Sequence, residues 1–343
     1  MKPTRPASAD ASPATLRAPV DGRRQLLYTL AALASGSALA QPAPAAWPER
    51  TVRLMVGFPA GTTPDLSARA LADALSPALG QPVIVENRPG AGGNLAADAV
   101  AKATDDHTLG VVINGNLTTA RALFKSLAFD PARDLLPLSL LTTSPLVLVT
   151  STAVPEGAAF FAAARASGER WNYASVGVGS VGHLGMELLR GRLPGLNAQH
   201  VPFSGNPQIL TALIAGQVQM ALIPPGLAMP QVRSGRVRAV GITAGGRSTL
   251  VPELGTLADA GLTGGLSLEV WTGLVAPSRL PVVAQRRLAS LVPGAVREAA
   301  TRQRLFNAGW QAVGTSPEGF AQRVREETAQ MAAVIAQRGI QVE

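Results

Sequence analysis

The fold is decided by the segment Thr51-Val-Arg-Leu-Met-Val-Gly-Phe-Pro-Ala-Gly-Thr-Thr-Pro-Asp65. Its mostly apolar beginning predicts a β-strand over Thr51–Val56. A loop of small residues follows, and Thr63-Pro64 is typical of the first turn of a helix, because a hydroxyl group can cap free N–H groups and proline tolerates this position. Apolar side chains then recur at helical spacing as far as Leu79. The segment is therefore predicted to form a strand, a loop and a helix.

The same alternation of strand and helix continues along the chain, with glycine-rich turns between the elements. Further strands are predicted at Val83–Val85, Leu109–Ile113, Leu146–Thr150, Trp171–Ala174, Gln199–Val201, Met220–Ile223, Val237–Ile242 and Leu268–Val275. Further helices are predicted at Asn94–Lys102, Phe160–Ala166, His183–Arg190, Pro281–Ala308 and Pro317–Gln337. This pattern predicts an α/β protein with mainly parallel sheets, whose ligand lies beyond the carboxyl ends of the strands.

The N-terminal region has the layout of an export signal. Arg23-Arg24 precedes an apolar run over Leu26–Ala34, and Ala38-Leu39-Ala40 matches the A-x-A pattern that signal peptidase cleaves. The run is shorter than the roughly 20 residues that a membrane-spanning helix needs. We expect a signal peptide over residues 1–40, a linker over 41–47 and a periplasmic mature protein. The paired arginines fit both the Sec and the twin-arginine route, and a disordered tail before a short buried helix is the alternative.

Composition excludes several classes of function. The chain has no cysteine, so disulfide bonds, thiolate metal sites and cysteine nucleophiles are excluded. Its formal charge is +8, or +5 without the first 40 residues, which hold five basic and two acidic side chains. The arginines are scattered, only three lysines occur, and no stripe of aromatic and basic residues is present. We therefore expect no nucleic-acid partner and a weak preference for anionic ligands.

The loop after the first strand is the first candidate binding site. It runs into a helix N-terminus, where unpaired N–H groups and the positive end of the helix dipole attract anions. Small residues let an anion approach the backbone. We expect a carboxylate to be held by the backbone and hydroxyl groups of Ala60, Gly61, Thr62 and Thr63, with Phe58 beside the ligand. The alternative is an ordinary strand-to-helix turn with a helix cap.

A second glycine-rich loop, before the predicted helix at His183, is the second candidate. Its hydroxyl groups belong to Ser175 and Ser180, and Gly177 and Gly179 expose their amides. His183 lies in the first turn of the helix, within reach of the same ligand. Two polar residues that follow other strands complete the predicted site, Asn114 and Ser204.

The same loop contains part of a dinucleotide-binding motif. Gly177, Gly179 and Gly182 match the G-x-G-x-x-G pattern of dinucleotide-binding proteins, which also requires an acidic residue about 20 positions later. No Asp or Glu occurs between Glu187 and Glu253. We therefore predict no cofactor.

Catalytic motifs are also incomplete. Ser180 lacks the first glycine of the G-x-S-x-G elbow. Ser180 and His183, three residues apart, fit a helix cap better than a nucleophile and its base. His183 and Glu187 share a helix face, but the chain has only three histidines, which argues against a zinc site. We expect no catalytic residue and no metal, with an esterase-like hydrolase as the alternative enzyme class.

Longer segments resemble a known family. They are Arg53–Gly61, Gly80–Asn94, Asn172–Leu184, His200–Phe203, Gly216–Met220 and Trp271–Pro277. Together they resemble the Bug family, the substrate-binding components of tripartite tricarboxylate transporters, over essentially all of Trp47–Ile340. The resemblance implies a type II periplasmic binding protein fold, with two α/β domains joined by two crossover strands and a cleft that closes on a carboxylated solute.

The resemblance also implies a domain organisation and partners. We expect one domain over residues 48–146 and 272–343, and the other over residues 147–271. The expected partners are a small carboxylate and the inner-membrane subunits of a transporter, and the protein is expected to be monomeric. A sensor or scaffold that binds ligands without transport is the alternative.

The sequence departs from the family pattern at three places. Gly61-Thr-Thr-Pro-Asp65 replaces a Gly-Gly-Gly-Thr-Asp type of loop, Ile223-Pro224-Pro225 replaces a stretch that commonly carries a polar residue, and Glu253-Leu254-Gly255-Thr256 replaces the usual Asp-Val-Pro-Thr. These departures leave the fold unchanged. The ligand stays open among dicarboxylates, tricarboxylates, acidic amino acids and aromatic carboxylates.

Overall fold

The computed structural model describes residues 47–340. The predicted signal peptide and all of the predicted linker except Trp47 lie outside the described residues. Within the described range, no helix has both the length and the apolar character needed to cross a membrane.

Strands and helices alternate as the sequence predicts. The strands are β1 Val52–Val56, β2 Val83–Asn87, β3 Thr108–Ile113, β4 Leu135–Pro145, β5 Val147–Thr150, β6 Asn172–Ser175, β7 Gln199–Pro202, β8 Met220–Ile223, β9 Arg238–Ile242, β10 Glu269–Pro277 and β11 Gln311–Ala312. The helices are α1 Thr63–Leu79, α2 Asn94–Lys102, α3 Asn114–Thr118, α4 Ala120–Leu123, α5 Pro131–Asp134, α6 Ala158–Ser167, α7 Val181–Arg192, α8 Asn206–Ile214, α9 Pro225–Arg233, α10 Val282–Arg297, α11 Ala299–Asn307 and α12 Pro317–Arg338. The predicted α/β class is confirmed.

The strands form two separate sheets. The first has the order β11-β4-β10-β3-β1-β2, and the second has the order β7-β6-β8-β5-β9. In the first, β1 pairs in parallel with β2 and β3, while β10 runs antiparallel to β3 and β4. In the second, β6 pairs in parallel with β7 and β8, while β5 runs antiparallel to β8 and β9. Each sheet has three mutually parallel strands, but antiparallel pairs outnumber parallel pairs overall. The sheets are therefore mixed and not mainly parallel as predicted, because β5 and β10 each enter their sheet from the other sheet.

The central strands are buried on both faces. Every residue of β3, with the sequence Thr-Leu-Gly-Val-Val-Ile, is buried, and so is every residue of β8. Helices cover both sides of such strands, which is why they are continuous apolar runs rather than alternating ones. Trp271 and Trp310 are completely buried around the first sheet, and Tyr173 is completely buried in the second.

Two connections join the sheets, and Thr243 links them. β4 leads into β5 through Leu146, and the chain returns from β9 to β10 through Leu268. Thr243 N–H donates to Leu146 O at 2.8 Å, and Thr243 Oγ1 accepts from Leu146 N–H at 2.9 Å. The same Oγ1 donates to Leu268 O at 2.6 Å, and Leu268 N–H donates to Thr243 O at 2.9 Å. One buried residue therefore holds both connections together.

Several elements differ from the prediction. The short helix α3, which begins at Asn114 directly after β3, was not predicted. The helical stretch predicted at Pro281–Ala308 is two helices, because Glu298 has an extended conformation, with φ −54° and ψ 141°. Helices α8 and α9 were not predicted, and both begin at the site described next.

Candidate functional site

A small cavity of about 40 Å³ lies between the two sheets. Its wall contains residues from loops and strand ends of both sheets, together with Leu146 from the first connection. They are Phe58, Thr62, Thr63, Pro64, Ile113, Leu146, Val176, Ser180, Val181, Gly182, Gly205, Asn206, Leu222, Pro224 and Val270. Of these described lining residues, none has a charged side chain.

Four helices begin at the wall of this cavity. α1 begins at Thr63, α7 at Val181 and α8 at Asn206, and Pro224 is the residue before α9. A helix N-terminus carries a partial positive charge and N–H groups without intrahelical partners. The positive ends of helix dipoles and free N–H groups therefore meet at the cavity, although no cationic side chain lines it.

The local sequence explains why α1 and α8 begin there. Thr62 and Gly205 are the N-cap residues, each in an extended conformation, and Pro64 and Pro207 follow in the first turn. The Thr62 side chain accepts no hydrogen bond from its helix, and Gly205 has no side chain that could do so. The N–H groups in the first turn of these helices are therefore not bonded to an N-cap side chain.

Among the lining residues in the first turn of a helix, four backbone N–H groups have no hydrogen-bond partner within the described part of the chain. They belong to Thr63, Val181, Gly182 and Asn206. All four lie in the first turn of a helix, where no earlier carbonyl group of the same helix is available. They come from both sheets, with Thr63 on one side of the cavity and the other three on the opposite side.

Asp65 fixes the loop on the side of the first sheet. Its carboxylate accepts hydrogen bonds from Gly61 N–H and Asn87 Nδ2, each at 2.9 Å, and pairs with Arg69 at 3.0 Å. Burial alone would raise the pKa of Asp65, but the hydrogen bonds from Arg69, Asn87 and Gly61 outweigh it and lower the pKa. Asp65 is therefore an anion that orders the loop.

Internal hydrogen bonds fix the loop on the side of the second sheet. Ser180 Oγ donates to Gly177 O at 2.7 Å and accepts from His183 N–H at 3.3 Å, as expected for a helix cap. Ser175 Oγ lies 2.9 Å from Gly177 O and 2.8 Å from His200 Nε2. Both hydroxyl groups are therefore occupied within the protein.

Two histidines lie behind this loop. His183 and His200 stack with ring centroids 4.2 Å apart, and Gly179 N–H donates to His183 Nδ1 at 3.0 Å. Burial lowers the pKa of His183, and burial together with the neighbouring His183 lowers the pKa of His200 to about 4. Both rings are thus neutral near pH 7, which leaves His183 Nδ1 free to accept the Gly179 hydrogen bond.

The structure brings four of the predicted site residues to the cavity, Phe58, Thr62, Thr63 and Ser180. The others lie elsewhere. Ala60, Gly61 and Ser204 are exposed beside the cavity, Gly177 and Gly179 meet the opposite sheet, and Ser175, His183 and Asn114 are buried behind the wall. The predicted loops therefore reach the site, but mostly through other residues.

Asn114 has a structural role. Its Nδ2 donates to Glu269 O at 3.1 Å and to Glu327 Oε1 at 2.8 Å, and its Oδ1 accepts from Trp271 N–H at 3.0 Å. Its side chain is completely buried. These bonds connect α3, β10 and α12 directly behind the wall formed by Ile113.

The contribution of the second sheet after β7 and β8 was not predicted from the sequence. Asn206 and Gly205 line the cavity there, and so does Pro224. A signal was available for the first two, because Gly205-Asn206-Pro207 repeats the small residue, polar residue and proline of Thr62-Thr63-Pro64. Both triplets mark a helix start at the carboxyl end of a strand.

The two sides of the cavity touch each other. Thr119 Oγ1, beside the first sheet, donates to Gly179 O at 2.9 Å. A Cβ atom on Gly205 would lie 3.0 Å from Thr62 Cγ2, and one on Gly177 would lie 3.4 Å from Gly92 Cα. The loops are therefore in direct contact around the cavity.

Comparison with known proteins shows to which family of proteins this chain belongs. A family model described as "Tripartite tricarboxylate transporter family receptor" matches residues 67–340. The chain therefore belongs to this family of transport receptors. BugT of Bordetella pertussis is 33% identical, over 69% of this chain and 74% of BugT. The resemblance to the Bug family is confirmed.

Solved structures agree with this assignment. MatC of Rhodopseudomonas palustris, solved with bound malate, is 36% identical with a TM-score of 0.78, over 84% of this chain and 100% of that chain. Another R. palustris protein, solved with adipate, is 29% identical with a TM-score of 0.82, over 86% and 100% of the two chains. The predicted type II periplasmic binding protein fold is confirmed.

Proposed function

We propose that this protein captures a small carboxylated solute between its two sheets and delivers it to the membrane subunits of a tripartite tricarboxylate-type transporter. One observation carries the proposal: free N–H groups from three helix N-termini meet in a cavity without charged side chains. Helix N-termini bind carboxylates and phosphates through such groups. The malate of MatC and the adipate of the R. palustris neighbour are carboxylates, which supports this ligand class.

The carboxylate would be held from both sides. Thr63 N–H and the Thr63 hydroxyl group approach from the first sheet, and the N–H groups of Val181, Gly182 and Asn206 approach from the second. Hydrogen bonds to a charged group are worth more than neutral ones, about 1.5 to 3 kcal/mol each. Neither side alone offers the complete set, so the ligand binds best when both sheets enclose it.

This arrangement gives a mechanism for closure. A ligand shifts a conformational equilibrium only by its difference in affinity for the two states. A carboxylate that needs donors from both sheets has that difference, and contacts such as Thr119 with Gly179 add to the closed state. We infer domain boundaries at residues 48–146 with 272–343, and at 147–271, with hinges at the two connections that Thr243 joins.

No chemistry on the ligand is proposed. Ser180 is a helix cap, and His183 Nδ1 is occupied by Gly179 N–H, so this pair does not form a nucleophile and base. Ser175 and His200 do lie at hydrogen-bond distance, but Ser175 is only 1% exposed and is not part of the cavity wall. The proposed protein is a monomer in the periplasm, exported by the predicted signal peptide and acting without a cofactor.

The test is a binding screen on the purified protein. Thermal shift and calorimetry with mono-, di- and tricarboxylates are expected to identify at least one stabilising ligand, and a ligand at 100 times its Kd stabilises by about 2.7 kcal/mol. The uncharged amides of the same acids serve as controls, because they keep the size of the ligand and remove its charge. Equal binding of acids and amides, or no binding at all, would contradict the proposal.

A further inference from the structure

Most of the side chains in the wall of the cavity are apolar. They are those of Phe58, Pro64, Ile113, Leu146, Val176, Val181, Leu222, Pro224 and Val270. The polar side chains in the wall are those of Thr62, Thr63, Ser180 and Asn206. The hydroxyl groups of Thr62 and Ser180 already donate to Pro59 O at 2.6 Å and Gly177 O at 2.7 Å. Among the described wall residues, the side chains of Thr63 and Asn206 are the ones left to donate hydrogen bonds to a ligand, and both lie at helix starts.

Pro224 makes one helix start different from the other three. It is buried in the wall as the N-cap residue of α9, and Pro225 follows at the first helical position. Proline has no N–H group and no polar side chain. The N-terminus of α9 therefore presents carbon atoms to the cavity where the other helices present hydrogen-bond donors.

From this wall we propose that the protein selects carboxylates whose carbon skeleton carries no hydroxyl group, with Pro224 as a specificity-determining residue. This rests on the proposed function. A hydroxyl group on the ligand would have to leave water for an apolar surface without a partner, which is unfavourable. The same ligand without the hydroxyl group would place only carbon atoms against the wall. The expected preference is about fivefold to a hundredfold in Kd, the usual effect of one unsatisfied polar group.

Matched pairs of acids test the preference. Calorimetry is performed with propionate and lactate, succinate and malate, and glutarate and 2-hydroxyglutarate, whose members differ by one hydroxyl group. In every pair that binds, the unsubstituted acid is expected to bind at least about fivefold more tightly. Equal or tighter binding of the hydroxylated members would overturn this inference and leave the proposed function intact. Binding of neither these acids nor any other carboxylate would overturn the proposed function and this inference with it.

Substitution of Pro224 tests the residue assignment. Pro224→Ser keeps a favourable N-cap residue and adds a hydroxyl group to the wall, so the preference for the unsubstituted acid is expected to fall by about threefold or more. Pro224→Ala adds a backbone N–H group but no hydroxyl group, and is expected to reduce the preference less than Pro224→Ser. Pro281→Ser is the matched control outside the cavity, because Pro281 is the N-cap of α10 with nearly the same backbone angles, φ −55° and ψ 141° against φ −56° and ψ 142°. An unchanged preference in Pro224→Ser would overturn the role of Pro224.

Discussion

The hydroxyl group of Thr119 donates a 2.9 Å hydrogen bond to the carbonyl oxygen of Gly179. Thr119 lies between α3 and α4 beside the first sheet, and Gly179 lies in the loop that leads to α7 in the second. Neither residue is part of the cavity wall. The bond therefore depends on the approach of the two sheets and not on direct contact with a ligand.

Thr119→Val is expected to weaken carboxylate binding although it touches no ligand. The change replaces the hydroxyl group by a methyl group of similar size and removes about 0.5 to 1.5 kcal/mol from the closed state, which is about twofold to tenfold in Kd. Calorimetry measures this. Thr118→Val is the control, because the Thr118 hydroxyl group bonds Asn114 O within α3. Unchanged affinity in Thr119→Val would mean that the contact does not contribute to closure.

Asn206→Asp is expected to abolish most of the carboxylate affinity without loss of stability. Asn206 lies in the cavity wall at the start of α8. A negative charge there favours the helix, because it interacts well with the helix dipole, but it repels a bound carboxylate. The expected loss is about tenfold or more in Kd, with an unchanged or higher melting temperature.

Gln208→Glu is the matched control for the added charge. Gln208 lies in the same first turn of α8 but is exposed and outside the cavity wall. The effect of Gln208→Glu on Kd is expected to be several times smaller than that of Asn206→Asp, because water and salt screen an exposed charge. Similar losses of affinity in Asn206→Asp and Gln208→Glu would show that binding does not depend on the position of Asn206 in the cavity wall.

The sequence predicted those parts of the site that depend on local patterns. The small residues after β1 and the Thr63-Pro64 helix start can be recognised from neighbouring residues alone, and they do reach the cavity. The Ser175–Gly182 loop was found in the same way, although its hydroxyl groups proved to be bonded internally. Local patterns therefore predict which loops form a site better than which atoms face the ligand.

Other features depend on residues far apart in the chain. Asn114 was expected to contact the ligand, but Glu327, 213 positions later, accepts its hydrogen bond. Pro224 became part of the wall only through the order of strands in the second sheet. Neither the hydrogen bond between Asn114 and Glu327 nor the position of Pro224 in the wall can be recognised from the neighbouring residues, because burial and strand order are properties of the whole fold.

Asn114→Ala is expected to reduce stability and leave ligand affinity nearly unchanged. The change removes partners from Trp271 N–H, Glu269 O and the buried carboxylate of Glu327. Each unsatisfied buried group costs about 1 to 3 kcal/mol, so the three groups together are expected to lower the free energy of unfolding by about 3 kcal/mol or more. Urea unfolding and calorimetry on the same sample separate the two effects. A weaker affinity with unchanged stability would instead support a direct ligand contact.

Stability is expected to fall as the pH falls from about 6.5 towards about 4. The pKa of His200 is lowered to about 4 in the folded protein by burial and by His183. In that window the unfolded chain binds a proton that the folded chain does not, so acid favours unfolding. The contribution of neutral His200 to the free energy of unfolding is fully present above the pKa of the unfolded chain, about 6.5. It is lost as the pH falls from there towards the folded-state pKa of about 4.

His200→Gln tests the origin of this pH dependence. Glutamine does not titrate, and its amide can replace Nε2 beside Ser175 Oγ. Melting temperatures between pH 7 and pH 5 are expected to decrease less steeply in the variant than in the original protein. Parallel curves for the two proteins would assign the acid sensitivity to other groups.

Thr243→Val is expected to destabilise the protein more than any surface threonine substitution. The change keeps the size of the side chain but leaves Leu146 N–H and Leu268 O without their side-chain partner, in buried positions at both connections between the sheets. Two such groups cost about 2 to 5 kcal/mol, which urea unfolding measures.

Thr211→Val is the control, because the Thr211 hydroxyl group donates to Pro207 O on the exposed face of α8. Loss of this hydroxyl group is expected to change stability by less than about 0.5 kcal/mol. Because Leu146 also lines the cavity, Thr243→Val is expected to bind carboxylates more weakly as well. Equal stability of the two variants would show that the connections are held by β4 and β10 themselves and not by Thr243.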